Sequence, residues 1–313
     1  MELREIPSAP ALGPLFARAA LTQKGRGGAL PSHGLRLAGL EVDRGRLLDY
    51  QHLCRFAGGD VLPHTYPHVL GFPLQVALMA DRGFPLALPG LVHLENRITV
   101  HRRLTAADRL DVTVYAKDLR PHAKGTLVDL VTEVEVSGER VWEGRSTYLR
   151  PGRGEGEASG GDATRGERAS RGDARDGVAP PVPEGPPVGL LRLPEDLGRR
   201  YAAVSGDVNP IHLHAWTARA MGFPRALAHG MWTAARTLAA LGSRADGPSS
   251  SSVWFRKPVL LPSSVELVVD DGGDTVVAGL VSGRVSGSES GSGARAGAGQ
   301  ERAREHLVLE LRT

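Results

Sequence analysis

YAAVSGDVNPIHLHAWTARAMGFPRALAHGMWTAARTLAAL, residues Tyr201 to Leu241, is the stretch on which the reading of this chain turns. Ser205-Gly206-Asp207-Val208-Asn209-Pro210 is dense in turn formers, and Pro210 disfavours helix at Asn209, so a tight ordered loop is expected. Asp207 and His212 lie five residues apart across that turn, close enough for their side chains to converge. A carboxylate beside an imidazole can hold a water, take a proton from it and return one to a leaving group. Such acid–base chemistry is worth roughly 10²–10⁴-fold in rate. Further on, Ala228-His229-Gly230-Met231 opens an apolar segment, Met231 to Leu241, that reads as a buried helix. A glycine at a helix N-terminus leaves a bare N–H aimed at incoming negative charge, and Gly230 could hold a carbonyl oxygen as it becomes enolate-like. Together these groups suit hydration or dehydration beside an acyl carbonyl.

An isolated Asp-x-Asn-Pro is often no more than a capped turn, but the string here is far longer. Tyr201-x-x-Val204-Ser205-Gly206-Asp207-x-Asn209-Pro210-Ile211-His212 and Ala218, followed by Gly222-Phe223-Pro224 and Ala228-His229-Gly230-Met231, resembles the signature of the MaoC-like (R)-specific enoyl-CoA hydratases, the hydratase 2 family. The resemblance implies an α+β hotdog fold, a central helix wrapped by an antiparallel sheet. It implies reversible hydration of trans-2-enoyl thioesters to (3R)-3-hydroxyacyl thioesters, with no metal and no redox cofactor. Carried over residue by residue, Asp207 and His212 are the catalytic pair, Asn209 supports the site, and the Gly230 N–H binds the thioester oxygen. Which of the pair handles which proton stays open. Some bacterial members carry a serine eight residues after that glycine, where this chain has Leu238, so acyl-chain preference does not transfer.

With 313 residues the chain is long enough for two such units. Lys and Arg number 38 against 35 acids, with no basic block interleaved with aromatics, which argues against nucleic acid. Cys54 is the only cysteine, excluding intrachain disulfides and cysteine metal clusters. No run approaches about 18 apolar residues and no export signal is evident, so a cytoplasmic protein without a membrane span is expected.

Ahead of the signature lies a worn copy of it. Gly59-Asp60-Val61-Leu62-Pro63-His64-Thr65 overlays Gly206 to His212, with Leu62 in place of the asparagine and Thr65 in place of the histidine. An apolar run, Leu74 to Ala80, reads as a second central helix. Segments 91–101, 110–119, 126–136 and 140–149 have strand patterning, with alternation clearest over Val128 to Val136. Residues 1 to about 40 are weakly patterned, with a short helix over 14–20. Leu62-Pro63-x-Thr65-Tyr66-Pro67-His68, Leu91-Val92-His93 and Leu119-Arg120-Pro121-His122 resemble the single-chain, double-hotdog actinobacterial 3-hydroxyacyl-thioester dehydratases of the HtdX type. That likeness implies a division of labour. Residues 1–150 form a degenerate hotdog that accommodates the acyl tail, 151–189 a disordered Gly/Arg/Pro-rich linker, and 190–313 the catalytic hotdog with a low-complexity insertion at about 282–304. His68 and His93 read as core histidines rather than ligands.

In the catalytic half, Ser249 to Ser252 reads as a turn or loop before a short strand, and Arg256 and Lys257 as charges that could meet carrier phosphates. The substrate is expected on coenzyme A or on acyl carrier protein, itself a candidate partner, and a homodimer of such units is compatible with the sequence. Two other functions suit the same residues: a hotdog acyl-thioesterase, and a non-catalytic acyl-thioester-binding protein.

Overall fold

The computed structural model describes residues 1–21, 27–152, 178–283 and 303–313. The first half runs β1 (Glu2–Glu5), α1 (Leu12–Leu21), β2 (His33–Leu40), α2 (Arg44–Cys54), α3 (Tyr66–Ala80), β3 (Val92–Val100), β4 (Leu110–His122), β5 (Gly125–Val136) and β6 (Glu139–Pro151). The second runs β7 (Gly189–Leu193), α4 (Leu197–Ser205), α5 (Pro210–Leu213), α6 (Ala215–Ala220), α7 (Gly230–Ala240), β8 (Ser249–Phe255), β9 (Ser263–Asp271), β10 (Thr275–Ser282) and β11 (Arg304–Arg312). Asp43 caps α2 by accepting from the Arg46 N–H at 3.0 Å. The β5–β6 hairpin turns on Ser137 and Gly138, both at positive φ, as a two-residue turn matched to strand twist requires.

All eleven strands form one sheet in the order β1-β2-β4-β5-β6-β3-β8-β11-β10-β9-β7. Leaving β1 aside, that order is a palindrome. Reading outward from the β3–β8 seam, β6, β5, β4 and β2 on one side answer β11, β10, β9 and β7 on the other. Each half wraps one apolar helix. α3 is buried along nearly its whole length, and α7 buries Met231, Trp232, Ala234, Ala235 and Leu238. The fold is a double hotdog. α3 begins at Tyr66, earlier than the apolar run at Leu74 indicates, because Pro67 falls in the first turn, where a missing N–H costs nothing. β1 and β2 went unread in the sequence because their residues lack period-two alternation.

The serine run corrects the sequence reading. Ser249 to Ser252 is not a turn but the first part of β8, paired with β3 on one edge and β11 on the other. Serine is a poor strand former in isolation, and ladder bonds on both edges override that preference. Ser251 and Ser249 point inward to His64, whose Nε2 lies 2.9 Å from Ser251 Oγ and whose Nδ1 lies 3.4 Å from Ser249 Oγ. Of the linker expected over 151–189, residues 153–177 lie outside the described residues, and 178–188 touch the second half at a few points while remaining mostly exposed. Val182 lies against Gly279 of β10, Pro180 accepts from Arg256, and the Val188 N–H donates to Leu267. The low-complexity run at 284–302 lies outside the described residues.

His64 at the seam and His68 on α3 are 3% and 4% exposed, and burial pushes both imidazoles down to about 4. Because the folded-state value is depressed, the stabilising neutral form is complete above the unfolded value near 6.5 and is lost as pH falls from there towards 4. Once fully developed, the effect is on the order of 3 kcal/mol per histidine. The denaturant midpoint should hold steady from pH 8 to 7 and fall steadily between 6.5 and 4. His64→Gln should flatten that slope, and an unchanged slope would contradict the assignment.

Candidate active site

The signature loop is fastened by its own polar groups. Gly206 ends α4 at φ +80, a backbone region that favours glycine, and its N–H returns to the Ala202 carbonyl. Ser205 Oγ donates to the Tyr201 carbonyl (2.8 Å) and accepts from the Asp207 N–H (3.2 Å). Asp207 Oδ1 accepts the Asn209 N–H at 3.2 Å, and Asn209 Oδ1 caps α5 through the Ile211 N–H at 3.4 Å. Pro210 supplies the first position of that short helix, where its fixed φ suits the turn. α5 in turn presses on α4. A Cβ on Gly198 would fall on the His212 carbonyl oxygen, so only glycine at 198 lets the two backbones meet. Nothing in the sequence spacing singles out Gly198.

The hydrogen bonds assign the histidine tautomers. His212 Nδ1 lies 2.9 Å from the Leu227 carbonyl, which can only accept. The proton therefore sits on Nδ1, leaving the Nε2 lone pair free to act as a base. His229 Nε2 lies 3.0 Å from the Asp207 carbonyl and 3.9 Å from Asp207 Oδ2, so it too is the protonated nitrogen, and it braces the Asp207 backbone. His229 is 2% exposed, and its ring stacks on His212 with centroids 3.7 Å apart. It stood in the His-Gly-Met run without a role being read for it.

Burial lowers the proton affinity of both histidines, and of His229 strongly, while the Asp207 charge pulls His212 partly back. Burial raises Asp207 above its usual value, opposed by His212 and the Asn209 N–H. The Asp207 side chain nonetheless keeps 24% of its surface open. The result is a neutral imidazole base beside a carboxyl with raised proton affinity, a combination suited to acid–base catalysis near neutral pH.

Asp207, His212 and His229 are also the one group among the described residues whose donor atoms, all within 4.8 Å of one another, could be considered for a metal ion. Two rings stacked at 26° aim their in-plane lone pairs side by side rather than at a common point, and His212 Nδ1 and His229 Nε2 already carry protons. The geometry makes a poor metal cage.

Gly230 is the first residue of α7, whose leading N–H groups have no partner within the helix. The Phe255 ring packs against it, 3.1 Å from where a Cβ would stand. From Phe255 a stack of rings runs into the other half, to His93 (5.0 Å) and on to Tyr148 (4.6 Å). Burial, reinforced by the Asp207 charge, raises the proton affinity of the Tyr148 phenol. The site thus lies against the seam between the halves. His68 is buried, whereas His93 is only partly buried, packs against Phe255, and its Nε2 has no hydrogen-bond partner among the described residues. Arg256 pairs with Glu305 at 2.8 Å, so it is already engaged within its own half.

The overlay in the first half has lost the site. Thr65 bonds Tyr50 Oη through its hydroxyl at 2.8 Å, and Asp60 pairs with Arg44 at the surface.

Comparison with known proteins agrees with this architecture. Residues 183–291 match the family model of the MaoC like domain. The chain is 37% identical over 243 residues to 3-hydroxyacyl-thioester dehydratase X of Mycobacterium tuberculosis, covering 78% of this chain and 82% of the relative. A crystal structure of HtdX from that organism superposes with a TM-score of 0.69 at 31% identity, covering 89% of this chain and 99% of that one. A MaoC-like dehydratase from Phytophthora capsici, 18% identical, shares the fold with a TM-score of 0.65, over 91% of this chain and 95% of the other. With the signature loop, the palindromic sheet and this likeness extending through both halves, the chain belongs to the MaoC-like hydratase/dehydratase family.

Proposed function

We propose that the protein interconverts (3R)-3-hydroxyacyl and trans-2-enoyl thioesters, with Asp207 and His212 as its acid–base pair. The observation that carries the reading is the His212 Nδ1–H···Leu227 bond, which leaves a bare Nε2 beside a carboxyl of raised proton affinity. In dehydration, His212 Nε2 takes the proton from C2, and the electron pair released forms the C2=C3 double bond. Negative charge building on the thioester oxygen is met by the Gly230 N–H. The C3–O bond breaks as the Asp207 carboxyl gives its proton to the departing hydroxyl, which leaves as water. Return of the proton from His212 to Asp207 resets the site, and hydration is the same path reversed. Asn209 holds Asp207, and His229 holds the loop beneath it. The residues balance the reaction among themselves, so no metal or redox cofactor is invoked.

The division of labour follows the two copies of the loop. Residues 190–313 perform the chemistry. The half comprising residues 1–150, with Thr65 tied to Tyr50, faces the site with His93 and Tyr148 and receives the acyl chain. The thioester is carried on coenzyme A or on acyl carrier protein, and the protein works in the cytoplasm, as a single double-hotdog unit or a homodimer of it.

His212→Ala and Asp207→Asn should each lower the rate of enoyl-CoA hydration, followed as loss of enoyl absorbance, by roughly 10²–10⁴-fold while leaving the thermal midpoint near that of the parent. Near-parental rates in either variant would sink the assignment. Gly198→Ala, which touches no substrate, should lower the rate comparably by pushing α5 and His212 out of place. Unchanged turnover there would show that the contact between α4 and α5 does not position the base.

A further inference from the structure

A groove of about 1060 Å³ opens on a different face of α4 from the catalytic loop. Tyr201 and Ser205 of α4 face the loop, whereas Arg200, Ala203 and Val204 face the groove, so roughly one helix diameter, about 10 Å, separates the two. Its floor is apolar: Leu53 from α2, Leu197 and Val204 from α4, and Trp232 from α7. Its rim is basic. Arg55 caps α2, Arg192 lies on β7, Arg200 on α4 and Arg236 on α7, and none of the four has a carboxylate partner among the described residues. His52 and a single acid, Asp49, also line it.

The sheet's palindrome gives this slot a counterpart in the first half. In the first half the corresponding place lies along α3, at the C-terminal cap of the covering helix from the other half. There it is filled by α1. Leu15, Phe16 and Ala19 pack into the core, Leu12 abuts Gly206 at the cap of α4, and Arg18 donates to the Ala80 carbonyl at the end of α3. In the second half the wall is α7, and the cap is Arg55 of α2. No described residue takes the place of α1. One slot therefore encloses an amphipathic helix, and its twin offers a similar apolar floor under four arginines.

We propose that this groove docks an acidic amphipathic helix of an acyl carrier protein, which would seat the thioester's carrier one helix away from the catalytic loop. The proposal rests on the dehydratase reading above. Apolar residues of the partner helix would lie on Leu53 and the exposed Leu190, with its carboxylates meeting the arginine rim. Charge complementarity of this kind acts mainly on encounter and on salt dependence.

The test compares trans-2-decenoyl-CoA with trans-2-decenoyl-acyl carrier protein as substrates for the full chain and for Arg192→Glu/Arg200→Glu, both exposed and away from the catalytic groups. The variant should raise KM for the carrier-protein ester at least tenfold with little change in kcat, and lose the salt dependence of that KM. Its kinetics with the coenzyme A ester should match the parent's. Equal losses on both esters, loss confined to the coenzyme A ester, or no loss on either would overturn the docking site. A parent that hydrates only the coenzyme A ester would overturn docking and leave the reaction standing. A parent that hydrates neither ester, while remaining folded, would overturn the reaction itself.

Discussion

The constraint on which everything else rests is the antiparallel pairing of β3 with β8. It turns two hotdog units into one sheet and sets the two central helices beneath a common surface. It also carries Phe255, at the end of β8, to the point where it covers Gly230 on one side and touches His93 on the other. The signature loop of one half thereby acquires a wall from the other. On the β8 side four serines, Ser249 to Ser252, make up most of the seam. Ser249 and Ser251 of β8 reach His64 of the other half, so a buried imidazole that would otherwise be costly finds its partners across the join.

Within the loop, reactivity is arranged by backbone carbonyls rather than by other side chains. Leu227 fixes the proton of His212, and Asp207's own carbonyl fixes that of His229. A carbonyl cannot donate, so each bond selects a tautomer. Burial then keeps both rings neutral while lifting the proton affinity of Asp207. One environment thus pushes the proton affinities of a carboxyl and an imidazole in opposite directions, as the proposed acid and base roles require. The first half lacks this arrangement, with Thr65 bonded to Tyr50 where the second half has His212.

Much of this was legible in the chain. Turn chemistry exposed the loop from Ser205 to Pro210, apolar runs exposed α3 and α7, and alternation exposed β4 and β5. The worn copy at Gly59 to Thr65 pointed to the doubling. Contacts between distant or unremarkable groups were not legible. The acceptor that sets His212 is a backbone carbonyl of Leu227, which carries no sequence signature. Gly198 matters only because α5 lies against it. Ser249 to Ser252 has the composition of a loop and becomes a strand because both its edges are claimed. His229 was visible within its motif, but its part emerges only once its ring is seen stacked on His212.

The most direct test is the identity of the product formed from crotonyl-CoA and from trans-2-decenoyl-CoA. Purified protein should convert both to 3-hydroxyacyl-CoA of (3R) configuration, resolved by chiral chromatography, with no free thiol released. A (3S) product would contradict the placement of water by Asp207 and His212, and release of thiol would show that the site hydrolyses thioesters instead of hydrating them.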